Sequence, residues 1–179
     1  MTVGASHITG THRPVRVDGP VAPEARTATT CDLDAIHSVL AGWSEVGLTL
    51  PRSRDDLERH IGTFSVTVTG EIVSACASLH LYDTPPGLTV AELRSVASTP
   101  ASRGSGSASL VVDHCLERAA AMGIERVHLL CRAPGFFARR GFGVVRFREV
   151  PPEFLEHAVR RQGRTTAGRT CMVRETSPG

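Results

Sequence analysis

Between Thr89 and Ala121 a strand-like run, a glycine-rich turn and a long helical pattern follow one another without a break. The turn reads Arg103-Gly104-Ser105-Gly106-Ser107-Ala108. Glycine lacks a Cβ, so the backbone there can curl tightly and come close to a ligand. The first amides of the helix that follows have no internal acceptor and lie at the positive end of its dipole. A strand, a glycine turn and a helix N-terminus together make an anion site, and a pyrophosphate is the natural occupant. In the helix itself, Ala108, Val111, Val112, Cys115, Leu116 and Ala119 recur at helical spacing and define one apolar face.

A chain of 179 residues suits one domain, expected over 23–176 behind a disordered lead-in at 1–22 that is rich in Gly, Thr, Pro and His. Apolar residues make up 41%, enough for a core, and a net charge of +2 argues for neither nucleic acid nor a membrane surface as partner. Every basic side chain other than histidine is arginine. Five scattered cysteines without CxxC spacing fit neither a disulfide framework nor a metal site, and point to a reducing cytoplasm. No apolar run has the length of a signal peptide or a membrane span.

Along the chain, a short strand is expected near Arg26–Ala28, then a helix capped by Thr30 or Asp32 with Leu33, Ile36, Val39 and Leu40 on one face. Ser53 opens a second helix over Asp55–Ile61. Strands Phe64–Val68 and Ile72–Tyr82 are joined by Thr69-Gly70, and 83–88 reads as a turn before the strand carrying Glu92. After the long helix come a strand at Val127–Cys131, a helix at Pro134–Arg140 ended by Gly141, and a strand at Val144–Phe147. A helix over Glu153–Arg161, a basic loop at 161–164 and a last strand at Cys171–Arg174 follow. Phe64, Phe136, Phe142 and Phe147 are the expected aromatic core.

The spelling R-x-x-G-x-A, Ala91-Glu92-Leu93 eleven residues upstream of it, and Gly123–Val127 through Phe136-Phe137-Ala138-Arg139-Arg140-Gly141-Phe142 together resemble the GNAT superfamily of N-acetyltransferases. With Leu50-Pro51-Arg52-Ser53 they are similar, over about 30–150, to amino-acid N-acetyltransferases of the N-acetylglutamate synthase kind, without the kinase-like domain of longer members. The fold implied is α/β, a central mixed, mostly antiparallel sheet with helices on both faces and a splayed parallel strand pair that binds acetyl-coenzyme A. The resemblance puts the pantetheine arm on Val96, Ala97 and Ser98 and the pyrophosphate on amides from Arg103 to Ser109, with Phe137 and Arg140 completing the cofactor set. Ser98 and Ser107 stand where such enzymes usually carry apolar residues, which implies weaker cofactor binding.

Transfer of acetyl to nitrogen needs an unprotonated amine. An α-amino group of pKa near ~8 is roughly 90% protonated at neutral pH, a deficit of about 1.4 kcal/mol that one carboxylate can supply. Glu92 is the expected base; its bland alternative is a surface-facing carboxylate paired with Arg94. Many relatives carry a tyrosine in the late helix to protonate the departing thiolate, but here the pair is Phe136-Phe137 and the only tyrosine is Tyr82. Cys131 reads as a packed strand cysteine rather than a nucleophile, and His80 and His128 as core or edge histidines.

Arginine forks suit the carboxylates of an amino acid, so Arg52, Arg94 and Arg164 are the acceptor-binding candidates, each with a solvated charge as its alternative. The expectation is a cytoplasmic enzyme acetylating the α-amine of glutamate or a relative on the way to arginine. No metal is expected, a small amino acid or amine is the partner, and a homodimer is the candidate assembly. A rival is a module that senses acyl-coenzyme A without turnover.

Overall fold

A computed structural model describes residues 21–83, 89–156, 158 and 166–176. The elements are β1 (Glu24–Thr27), α1 (Leu33–Glu45), α2 (Arg54–Arg59), β2 (Phe64–Thr69), β3 (Ile72–Asp83), β4 (Thr89–Ser98), α3 (Ser107–Ala121), β5 (Arg126–Cys131), α4 (Pro134–Ala138), β6 (Gly143–Val144), α5 (Pro152–Leu155) and β7 (Thr170–Glu175). The strands form one seven-stranded sheet in the order β1-β2-β3-β4-β5-β7-β6. All pairs are antiparallel except β4 with β5. This is the expected α/β architecture.

Alternation along the strands decides which helix covers which face. Ala75, Ala77, Leu79, Ala91 and Leu93 turn one way, and the small residues among them let α3 come close with Val111, Val112, Cys115, Leu116 and Ala119. Phe64, Val66, Val68, Val73, Cys76 and Ala97 turn the other way, against Leu33, Ile36 and Leu40 of α1 and Leu57 of α2. On that same side Tyr82, Val90, Leu130 and Cys171 meet Phe154 of α5. Phe154 is fully buried, although its sequence context gave no sign of it.

Several boundaries differ from expectation for local reasons. The Asp32 carboxylate turns back to the Thr29 amide at 2.7 Å and to Arg26 at 2.8 Å, so it ties β1 to the helix start instead of capping α1. Ser53 does cap α2, its hydroxyl accepting from the Asp56 amide at 3.1 Å. The strand expected at Val144–Phe147 is only Gly143–Val144. The Arg146 amide donates to Glu149 at 3.1 Å, and that contact folds Phe147–Glu149 into a 3-10 turn. The α4 helix stops at Ala138, and Gly141 follows at φ +79°, the left-handed stop expected of it. Arg174 donates to the Arg140 carbonyl at 2.5 Å and so closes that helix end. The turn at 84–88, residues 157 and 159–161 of the expected helix, and the loop at 161–164 lie outside the described residues.

Candidate active site

β4 and β5 stay in register for Ala91↔Val127 and Glu92↔His128 only, and then diverge. On its other side β4 carries one extra residue, because Ser78 pairs with Arg94 while Cys76 pairs with Ala97. Ser95 absorbs that bulge at φ +55°, and it alone among the described non-glycine residues has a positive φ. Such a conformation costs about 1–3 kcal/mol and re-aims the peptide groups beside it. The divergence opens a cleft of about 400 Å³ bounded by Arg94–Ser98 on one wall and Leu129–Ala133 on the other. Val96, Ala97 and Ser98, the residues expected to hold the arm of a thioester, line this cleft.

A second cleft of about 540 Å³ holds the glycine turn and shares Ser98, Ala108 and Phe136 with the first. Gly104 and Gly106 take φ +78° and +88°, a region other residues enter only at a cost, and α3 begins directly after them. Amide accounting narrows the expected donor set. The Arg103 amide donates to the Pro100 carbonyl at 3.3 Å, Ser105 to Ser102 at 3.2 Å, and Ser109 to Gly106 at 2.9 Å. The Ser107 amide donates to the Ser105 hydroxyl at 3.3 Å. Gly104, Gly106 and Ala108 keep amides without an acceptor among the described residues. Ser107 is buried, with its carbonyl accepting from Thr67 at 2.8 Å, so it supports the turn from beneath.

Of the remaining cofactor candidates, Phe137 is buried and borders the first cleft, while Phe136 borders both. Arg140 lines the second cleft but is paired with Asp113 at 2.8 Å. The Arg103 guanidinium instead lies over the Trp43 ring, 5.6 Å from its centroid.

Away from the glycine turn, Arg94 and Arg52 line the first cleft, and a buried polar cluster lies behind Arg94 without lining it. Glu92 has no exposed surface, and the Tyr82 hydroxyl donates to its Oε2. Glu92 stands opposite His80 across β3 and opposite His128 across β5, so all three share one face of the sheet. Arg94, two residues on, donates from Nη2 to His80 Nδ1 at 3.0 Å. The His80 ring meets Tyr82 edge-on at 4.8 Å. Arg94 is buried yet reaches the cleft wall, so the alternative of a surface Glu92–Arg94 pair is overturned.

Arg52 also lines the cleft and is held by Asp56 at 2.8 Å. Burial pushes the Asp56 carboxyl up, but Arg52 and His60 outweigh that and hold it below its ordinary value. Arg164 lies outside the described residues.

His128 is buried against Phe154, with ring centroids 5.5 Å apart, and burial pushes its imidazole below the ordinary value. Cys131 lies at the cleft end of β5 with its thiol pushed up by burial and 3.8 Å from the Met172 sulfur. Sequence reasoning missed Trp43 and Arg169 as cleft residues and Tyr82 as the partner of Glu92. Only strand register could have brought Tyr82 to Glu92. Among the described residues no three His, Cys, Asp or Glu side chains converge as a metal site, and no helix is long and apolar enough to cross a membrane.

Comparison with known proteins agrees with this geometry. The chain is 28% identical over 135 residues to an amino-acid acetyltransferase of Mannheimia succiniciproducens, a match covering 75% of this chain and 30% of that protein. A namesake from Aeromonas salmonicida is 31% identical over 133 residues, covering 74% of this chain and 29% of the relative. The chain thus spans about 30% of the length of these curated relatives. The N-acetylglutamate synthase of Neisseria gonorrhoeae, solved with coenzyme A and N-acetylglutamate, superposes with a TM-score of 0.75 at 27% identity over 88% of this chain and 36% of its own. The fold of Rv2747 from Mycobacterium tuberculosis matches with a TM-score of 0.71 at 24% identity, over 83% of this chain and 96% of that one. The acetyltransferase (GNAT) family matches residues 32–142, a stretch that carries all of the second cleft and all of the first but Arg169, and the chain belongs to that family.

Proposed function

We propose that this chain transfers the acetyl group of acetyl-coenzyme A to the α-amine of a small amino acid, glutamate or a close relative. One observation carries the reading: a cleft between diverging parallel strands runs from the glycine turn to Arg94, two residues along β4 from the buried Glu92. Its relatives' names and the ligands of the Neisseria enzyme support an amino acid as acceptor.

The diphosphate is held by the amides of Gly104, Gly106 and Ala108 at the start of α3, where backbone donors and the helix dipole act together. The arm follows Val96–Ser98, and the amides around the Ser95 bulge polarise the thioester carbonyl. Arg94 and Arg52, oriented by His80 and Asp56, stand at the cleft wall to meet the acceptor's carboxylates, with Arg164 as a third candidate. Glu92, held by Tyr82, receives the amine proton directly or through one water, a contribution of about 10²–10⁴-fold. No side-chain hydroxyl stands at Phe136-Phe137, so the coenzyme A thiolate, whose conjugate acid has a pKa of about 8.5, leaves without a protein acid.

On this reading residues 23–176 act as one cytoplasmic catalytic domain whose product serves arginine biosynthesis. The test is free-thiol release from acetyl-coenzyme A across the amino acids and common amines. Release with glutamate or a neighbour of it is the expected result. Release with another amine only would change the acceptor, and tight binding without any release would leave a sensing module in place of an enzyme.

A further inference from the structure

Trp43, the only tryptophan in the chain, sits near the end of α1 and touches three parts of the cleft at once. Its indole Nε1 donates to the Ser98 carbonyl at 2.8 Å, at the very end of β4. Its ring lies under the Arg103 guanidinium, 5.6 Å away. Its own carbonyl accepts from the Leu48 amide at 3.0 Å and the Thr49 amide at 3.3 Å, which folds the 48–50 wall against the first cleft. None of these contacts was expected from the glycine motif, which lies some 60 residues downstream.

We propose that Trp43 is a positioning residue of the acetyl-coenzyme A site, fixing Arg103 beside the diphosphate turn and holding the end of β4 in place for the pantetheine arm. The inference rests on the acetyl-coenzyme A reading above. A guanidinium stacked on an aromatic face keeps its N–H donors in the plane of the fork, free for a phosphate. Among the described residues Arg103 has no ion pair, whereas Arg140, at the same cleft, is tied to Asp113. Arg103 is therefore the preset cation, and Trp43 is what presets it. The indole also donates to the Ser98 carbonyl and so fixes the position of the last residue of β4 beside the cleft.

Intrinsic fluorescence and calorimetry on the full chain, with coenzyme A as the titrant, test this. The expected result is a saturable change in the single-tryptophan emission with the same Kd as the heat signal. Trp43→Phe keeps a ring face but loses the donor, and is expected to weaken coenzyme A binding by about five- to tenfold while kcat at saturation stays within twofold. Trp43→Leu loses both and is expected to weaken binding further. Combined with Arg103→Gln it should add little to that change alone, because the two residues act as one unit. A fold role alone would lower thermal stability without separating Kd from kcat. Heat of binding with flat emission, and a Trp43→Phe variant that binds like the parent, would overturn the proposal and leave the acetyltransferase reading standing. No heat from coenzyme A at all would overturn both.

Discussion

The two ends of the cleft are made in opposite ways. At the phosphate end the working groups are backbone amides, exposed by left-handed glycines and by the first turn of α3. At the proposed acceptor end they are side chains, Arg52 ahead of α2 and Arg94 on β4 at the cleft wall, backed by a buried cluster of His80, Tyr82 and Glu92, of which Glu92 has no exposed surface. A backbone site tolerates changes of side chain and fails when a Cβ alters its φ. A buried side-chain network tolerates backbone chemistry and fails when one hydrogen-bonding group is lost. The same cleft should therefore respond to mutation in two separable ways.

The largest effect is expected from Glu92→Gln. The amide keeps the shape and cannot take the amine proton, so kcat should fall by about 10²–10⁴-fold at neutral pH while coenzyme A binds as before. Unchanged turnover across a pH series would remove Glu92 from the chemistry. Gly106→Val acts at the other end. No atom stands within 4 Å of the Cβ it would gain, so the cost is conformational, a β-branched residue forced to φ +88°. That strain, about 1–3 kcal/mol, should weaken coenzyme A binding by roughly ten- to a hundredfold and leave the acceptor's affinity alone. Equal loss of both affinities by calorimetry would erase the distinction between the two ends. Tyr82→Phe comes third. It leaves the buried Glu92 without that donor, a cost of about 1–3 kcal/mol, and turnover should drop about tenfold with coenzyme A binding intact.

This division also explains what the amino-acid sequence could reveal. The strand, the turn and α3 lie within one stretch, and each is set by neighbours a few residues away, so Gly104, Gly106 and the α3 stripe could be read directly. The bulge at Ser95 and the parallel divergence have no local mark, since both depend on how β4 registers against β3 and β5. Tyr82 reaches Glu92 only because Tyr82 pairs with Val90 across β3 and β4, which puts the two side chains diagonally on one face. Trp43 and Ser98 are 55 positions apart, and nothing in the α1 pattern marks that indole as a cleft residue rather than core. Arg94 could be named as a candidate, but its burial and its bond to His80 follow from sheet register alone.

The smallest effect separates the two faces of the sheet by pH. His128, beside Glu92 and Phe154, has its imidazole pushed below 6.5 by burial, which outweighs the pull of Glu92 and adds to the push of Arg126. The folded chain therefore keeps that ring neutral where the unfolded chain protonates it, and the unfolded state binds more protons. Stability must fall as pH drops below about 6.5 and level off only beneath the folded value. His114 on α3 is lowered by burial and by Arg118, so the other face contributes in the same window. Asp32 and Asp56, whose carboxyls are held below 3.8, act only at more acid pH and are thereby distinguished. Melting temperature should fall less steeply as pH drops below about 6.5 in His128→Phe, and the change should be smaller in His114→Gln, because His128 is the more deeply buried of the two. A His128→Phe profile parallel to the parent's would mean that water reaches this imidazole, and the acceptor end would then be as open as the phosphate end.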